Sequence, residues 1–563
     1  MNTKENCVIK KSFQIFLFFI ILVLAFLVRI YKIDSPLADW HSWRQADTAS
    51  VALEFTQHNY SIIKPHYHDL SNIPSGLDNL EGYRMVEFPL INYLVAKIVL
   101  FNSNFNLVIV YRLVNIVLAL FGLVAIFYFV KFYTQNLLLS FLSLIFMAFL
   151  PYNIFYSRTI LPDPAMLAFQ LLSLVLLTKF YQQKKLHDQL FLSKNTFFFW
   201  LFLSCLCLAV SLLIKPVSVF ILPVFILIVL QNEKIMLKTI FFWLIILSLI
   251  LLPLIWWRQY IKNYPAGIPA SDWLLNGNGI RLKLAWWRWL FWERIVKLML
   301  GFWGSLVILI GLMRVKLKNI IKSKFSQILV IWSLSAFSYL IIFATGNVQH
   351  DYYQVLIIPI LSLLLAYFTF QLWSTSRLIL VKKNWLHVFL SVMSLNLFLI
   401  YYLKFIDFAK TQQHSFGELK SLVIIFLFLF LGIKMKKSRK VPNLIFFSMI
   451  FGLIINFYFC WQRVKGYYNI NNPAIVSAGQ KATQILPIEA KIIAPYQGDT
   501  AFLWQTQRTG WPIGFDIEGK IAKGATHYIT VNYDDEAREL ATKYQTIIQE
   551  EDYLILDLTK KLE

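Results

Sequence analysis

Apolar runs of membrane-spanning length, separated by short basic clusters, fill most of the chain as far as residue 461. They lie near 13–31, 107–130, 137–155, 160–180, 196–214, 216–231, 237–256, 297–313, 325–344, 354–373, 385–405, 419–433 and 443–461. A helix needs about 20 apolar residues to cross a bilayer, so the pattern predicts about thirteen transmembrane helices. A shorter run, 88–101, carries Asn92 and Lys97 and is predicted to lie along the membrane surface as an amphipathic helix. Beyond residue 462 the pattern turns soluble. KIIA at 491–494, THYITV at 526–531 and DYLILDL at 552–558 predict strands, with a helical pattern at 534–545. The expected fold class is therefore an α-helical polytopic membrane protein, residues 1–461, with a small α/β domain at 462–563.

Composition sharpens this picture. With 58% hydrophobic and 15% charged residues, the chain is excluded from the ordinary soluble globules. A net charge of +23 raises nucleic acid as a partner, but the basic residues fall in clusters between apolar runs, which excludes a nucleic-acid-binding face. Lys4, Lys10 and Lys11, Lys184 and Lys185, RVKLKNIIKSK at 314–324 and KMKKSRK at 434–440 read as cytoplasmic topology signals. The run at 13–31 follows positive charge and lacks a small-residue cleavage site, so it is expected to stay as an anchor with the N-terminus inside. An odd number of spans then puts the first long loop (32–106), the second (257–296) and the C-terminal domain outside. Asp47, Glu87, Arg112, Arg158, Asp163, Lys215 and His350 all fall near that external side. Cysteines at 7, 205, 207 and 460 imply no disulfide framework.

The chemistry concentrates in ADWHSWRQADTASVALEF, residues 38–55. Ser42 and Gln45 have capping-box spacing, so a helix is expected from Trp43 with His41 just outside it. Arg44 and Asp47 then share a face at i and i+3, either as a surface ion pair or as the lining of a functional cavity. Glu87 in VEFPL is either a carboxylate favouring a helix N-terminus or a metal- or acceptor-binding group. In YSRTILPDPAML, helix capping accounts for Asp163 but not for Arg158 at membrane depth. Lys215-Pro216 and HDYY at 350–353 open further external boundaries. WWRWLFWER at 286–294 reads as an interfacial aromatic belt, with Arg281, Lys283, Arg288 and Arg294 as candidates for a lipid phosphate.

HSWRQADTA, EFPL, RTILPDP, Lys215-Pro216 and HDYYQVLIIP, taken in this order over residues 13–460, resemble the membrane glycosyltransferases of the GT-C fold. These are related to protein O-mannosyltransferases and to the lipid A aminoarabinose transferase. The resemblance implies an inverting-type transfer of a sugar from a polyprenyl-phosphate carrier to a lipid, glycan or protein, outside a bacterial cytoplasmic membrane. It implies an acidic base in the first loop, for which Asp47 is the match and Asp39 a rival, with Glu87 in support. Relatives often carry an Asp-Glu pair where this chain has Arg44-Gln45, and the aminoarabinose transferases carry lysine where it has Phe88. Phosphate and substrate contacts are then expected among His41, Arg44, Arg158, Asp163, Lys215, His350, Tyr352 and Tyr353. A divalent metal ion held by Glu87 is a candidate cofactor, and membrane lipids are the other partners. The alternatives are a flippase of lipid-linked sugars, against which one-sided polarity and the lack of an inverted repeat argue, and a glycan polymerase or ligase.

Overall fold

The computed structural model describes residues 2–102, 104–190, 194–315, 317–377, 453–454 and 456–563. Among them, eight helices are long and apolar enough to cross a membrane, and the protein is a multi-pass membrane protein. They are Lys11–Arg29, Leu107–Thr134, Asp163–His187, Phe197–Ile214, Leu237–Asn263, Leu284–Met313, Lys324–Ile342 and Asp351–Leu372. The runs at 385–405 and 419–433, and most of 443–461, lie outside the described residues.

Proline shortens two of the expected spans. In 137–155 the helix Leu137–Phe149 stops because Leu150 is held extended before Pro151, and the chain restarts as Pro151–Tyr156. The 216–231 run opens as a 3₁₀ turn at Pro216–Ile221 and becomes α-helical from Leu222 to Leu230. The aromatic stretch 286–294 corrects the expectation in the other direction. It is helical from Leu284 and runs into the next span, because Trp286 (2% exposed) and Leu290 (0%) point into the helical core. The 88–101 run forms the helix Leu90–Phe101, packed against Ser42–Gln57 and Leu107–Thr134.

Burial explains why the spans differ in polarity. The apolar window of Asp163–His187 is 72% buried and has a hydropathy of only 1.5, whereas Leu237–Asn263 is 11% buried with a hydropathy of 2.6. The central helix faces protein and tolerates polar groups; the peripheral one faces lipid through Phe241, Leu244, Leu252 and Trp256. Ser204 and Ser211 donate to the carbonyls of Ser173 and Met166 at 2.7 and 2.8 Å, joining Asp163–Leu190 to Lys194–Ile214. From Asp163 to Lys184 the helix rises by about 30 Å. The Lys184–Glu233 ion pair, at 2.7 Å, is thus at the opposite end of the bundle from Asp163.

The C-terminal unit carries a five-stranded sheet of β1 (Ile492–Ile493), β2 (Gly510–Trp511), β3 (His527–Thr530), β4 (Tyr544–Gln549) and β5 (Leu554–Lys561). The order is β2-β1-β3-β5-β4, with β2-β1-β3 parallel and β3-β5-β4 antiparallel. The three predicted strands are present, as is the helix Asp535–Lys543. The helical pattern read to 545 overran β4, which begins at Tyr544.

This sheet continues into the first loop. The Gly510 N–H donates to the His68 carbonyl and the Leu70 N–H donates to the Gly510 carbonyl, each at 2.8 Å. Only glycine fits there, since a Cβ would lie 1.8 Å from the Ile492 carbonyl oxygen. Asn471 and Gln505 also bond the carbonyls of Asp39 and Leu37, so the loop is clamped between bundle and sheet.

Candidate active site

Ser42–Gln57 carries the first group of polar side chains, and its start differs from the expected capping box. The preceding residue is His41, in the left-handed region at φ 55°, and it makes no side-chain cap. Gln45 turns away from the helix end and donates to Asp39 Oδ1 (2.7 Å) and to the Trp40 carbonyl (3.0 Å). The burial of Asp39 makes that bond worth more than a solvent-exposed cap.

Arg44 and Asp47 share a face, as their spacing predicts, and line one narrow, open cleft with Arg84, Glu87, Phe88, Asn92 and Tyr111. They do not pair with each other. Arg44 forms an ion pair with Glu87, and Arg84 bonds Asp47 Oδ2 at 3.0 Å. The second Asp47 oxygen accepts a hydrogen bond from Thr500 of the C-terminal unit at 2.7 Å. Arg84 lies 5.0 Å from the Tyr67 ring centroid, in a strap closed by the bond from the Tyr67 N–H to the Gly82 carbonyl. Gly82 has φ 65°, and a Cβ there would be 2.8 Å from the Tyr67 carbonyl oxygen. Burial pushes the Glu87 carboxyl up, but the charges of Arg44, Arg84 and Lys215 outweigh it and hold the group down at about 2.

Asp163 and Lys215 form a second pair, with the ammonium 2.8 Å from both carboxylate oxygens. The same ammonium lies over the rings of Tyr352 and Tyr353 at 5.2 and 5.0 Å, and its neighbour Ile214 lines the cleft. Asp163 sits in the first turn of its helix, so it serves the helix end and Lys215 together.

Asp39 and Arg158 are elsewhere. Asp39 is fully buried, 3.5 Å from Arg158 and 3.8 Å from Arg112, and neither Asp39 nor Arg158 lines the cleft. Burial raises the Asp39 carboxyl, against the lowering effect of the two arginines. Arg158 also donates to the Lys32 carbonyl at 3.0 Å and lies over the Tyr468 ring at 4.5 Å.

A third group surrounds Asp351, which is fully buried. Its carboxylate accepts from Trp40 (3.1 Å), Arg294 (3.2 Å), Tyr467 (2.5 Å) and Tyr156, and contacts His41 Nε2 at 2.6 Å. His350 stands 5.6 Å from the His41 ring and 5.5 Å from Trp43, and burial lowers it to about 4, so it is neutral. Of the arginines considered for a lipid phosphate, Arg294 is thus committed to Asp351.

Among the described residues no group of three His, Cys, Asp or Glu side chains converges, and the charge of Glu87 is already matched by Arg44. The residues that sequence reasoning missed are Arg84, Thr500 and Asp351. Arg84 stands three positions before Glu87 and was readable as a second charge in that segment. Asp351 lay inside HDYY. Thr500, 453 residues from its partner, gave no signal.

Residues 19–262 match the family described as dolichyl-phosphate-mannose-protein mannosyltransferase. No curated protein matches the sequence. Among solved structures, ArnT from Cupriavidus metallidurans in the apo state is similar over 97% of this chain and 98% of its own, with a TM-score of 0.59 at 11% identity. The same protein bound to undecaprenyl phosphate gives 0.58 at 11% identity, over 96% and 97%. The Archaeoglobus fulgidus oligosaccharyltransferase, tethered with an acceptor peptide, gives 0.51 at 10% identity, over 91% of this chain and 69% of that one. Among the described residues the architecture is the GT-C fold.

Proposed function

We propose that this GT-C chain is an inverting glycosyltransferase that moves a sugar from a polyprenyl-phosphate carrier to an acceptor outside the cytoplasmic membrane. The observation that carries the reading is the cleft in which Asp47 lies beside Arg44, Arg84 and Glu87, at the end of the bundle that also holds Asp163 and Lys215. The Lys184–Lys185 cluster at the other end supports an external cleft. The match to the mannosyltransferase family and the ArnT complex with undecaprenyl phosphate support a lipid-phosphate leaving group.

Asp47 accepts the proton of the acceptor hydroxyl as its oxygen attacks the anomeric carbon. The carbon–oxygen bond to phosphate breaks, and its electron pair leaves with the polyprenyl phosphate. Arg44 and Arg84 in the cleft, with Lys215 next to the cleft-lining Ile214, face the charge that grows on that phosphate. Glu87 holds Arg44 in place. Attack from the face opposite the phosphate inverts the anomeric configuration.

The test supplies purified protein with undecaprenyl-phosphate-linked mannose and a membrane extract as acceptor source, and measures released undecaprenyl phosphate. Release by the wild type, and its loss in Asp47→Asn by about 100- to 10,000-fold, is the expected result. Movement of the intact lipid across vesicles without release would overturn the enzymatic reading in favour of a flippase.

A further inference from the structure

We infer that the C-terminal unit is a working part of the catalytic cleft, through Thr500, which positions Asp47. The inference rests on the assignment of Asp47 as base and adds to it a residue from the opposite end of the chain.

Asp47 has two carboxylate oxygens and both are taken: Arg84 holds Oδ2 at 3.0 Å and Thr500 holds Oδ1 at 2.7 Å. Thr500 Oγ1 is also 3.0 Å from the Trp43 carbonyl. A hydroxyl has one proton to give, and the charged carboxylate is the stronger acceptor. Thr500 is 8% exposed and Asp47 5%, so water competes poorly for the bond.

The segment that presents Thr500 is built for the purpose. Gln497 (φ 55°) and Gly498 (φ 80°) are both left-handed, and the N–H groups of Tyr496 and Gly498 donate to the Pro512 carbonyl at 3.0 Å. Asp499 accepts from the Ala501 N–H at 2.7 Å. These bonds tie the turn to the end of β2, which is itself paired with the first loop through Gly510. The carboxylate and the hydroxyl therefore belong to one continuous framework. It reaches from the Ser42–Gln57 helix through the 66–84 strap into the sheet.

The hydroxyl acts on the base by position: it fixes the carboxylate rotamer and leaves Asp47 aimed at the cleft. The other groups facing Asp47 are the cations Arg84 and Arg44, the carboxyls Asp69 and Asp499, and the Tyr67 hydroxyl. Asp69 and Asp499 are both raised to about 6, chiefly by burial, and of the neutral hydroxyls near Asp47, Thr500 and Tyr67, it is Thr500 that hydrogen-bonds its carboxylate.

The experiment uses the full chain with undecaprenyl-phosphate-linked mannose and the membrane extract, reading kcat and KM separately beside thermal unfolding. Thr500→Val keeps the shape and removes the hydroxyl; Thr500→Ala removes it without added bulk and is read in parallel, so that a folding defect in one variant does not decide the matter. Both are expected to lower kcat roughly 10- to 100-fold, with KM for the carrier nearly unchanged. Thr500→Ser is expected to restore most of the rate. If Thr500→Val and Thr500→Ala keep wild-type kcat while Asp47→Asn is inactive, the positioning role falls and the base stands. If Asp47→Asn turns over like the wild type, the base assignment falls and the role of Thr500 with it.

Discussion

Arg44 and Asp47 lie one turn apart on the same helix, yet each takes its partner from the loop segment that follows: Arg44 pairs with Glu87, and Asp47 with Arg84. The result is two crossed ion pairs rather than one intrahelical pair. All four charges line the same cleft, where an arginine has donors left over for a phosphate after satisfying one carboxylate.

That surplus sets the first expectation. Arg44→Gln and Arg84→Gln each remove charge-assisted donors from the cleft, and such bonds are worth about 1.5–3 kcal/mol. Binding of undecaprenyl phosphate by the purified protein should weaken by roughly one to two orders of magnitude in each variant. An affinity within twofold of wild type in both would take the phosphate site out of this cleft.

Asp39 and Arg158 should behave as parts of the fold. Removing one partner of a buried ion pair costs about 3–5 kcal/mol, because the other charge is left uncompensated. Asp39→Asn and Arg158→Ala are expected to unfold at markedly lower temperature in detergent, with turnover per folded molecule close to wild type. Lost turnover at an unchanged unfolding temperature in Asp39→Asn would make Asp39 the base.

Glu87 gives stability a defined acid limit. Its folded pKa, about 2, is below the unfolded value of 4.5, so the folded state binds fewer protons between these values. The contribution is therefore complete above pH 4.5 and is lost as pH falls toward 2. Denaturation of wild type and Glu87→Gln, compared across this range, should show a gap that is constant above pH 5 and closes below it. A gap that widens on acidification would contradict the Arg44–Glu87 pairing.

Glu54 has the opposite sign. It is 4% exposed, 3.5 Å from His68 and from His58, and burial raises its pKa from 4.5 to about 7. The folded state then holds an extra proton between those values, so stability falls as pH rises from 4.5 to 7 and stays reduced above. Glu54→Gln should match the wild type near pH 4.5 and be the more stable protein at pH 8. Equal stability at pH 8 would show that Glu54 ionises in place without cost.

What the sequence determined by itself was the membrane architecture and the region where chemistry gathers. Apolar length is a local property, so ten of the thirteen runs appear as apolar helices among the described residues, although Pro151 breaks 137–155, which the apolar pattern reads as one span. The placement of Asp47, Glu87 and Lys215 near one end of the bundle follows equally from their positions at the ends of apolar runs. Tertiary structure alone decided the partners. An ion pair or hydrogen bond forms only within about 3–4 Å, and chain spacing does not encode which of several nearby cations reaches a carboxylate. Thus Arg158, indistinguishable by sequence from a phosphate ligand, is consumed by Asp39. Asp47 meets Arg84 and, across 453 residues, Thr500, because the C-terminal sheet closes over the first loop.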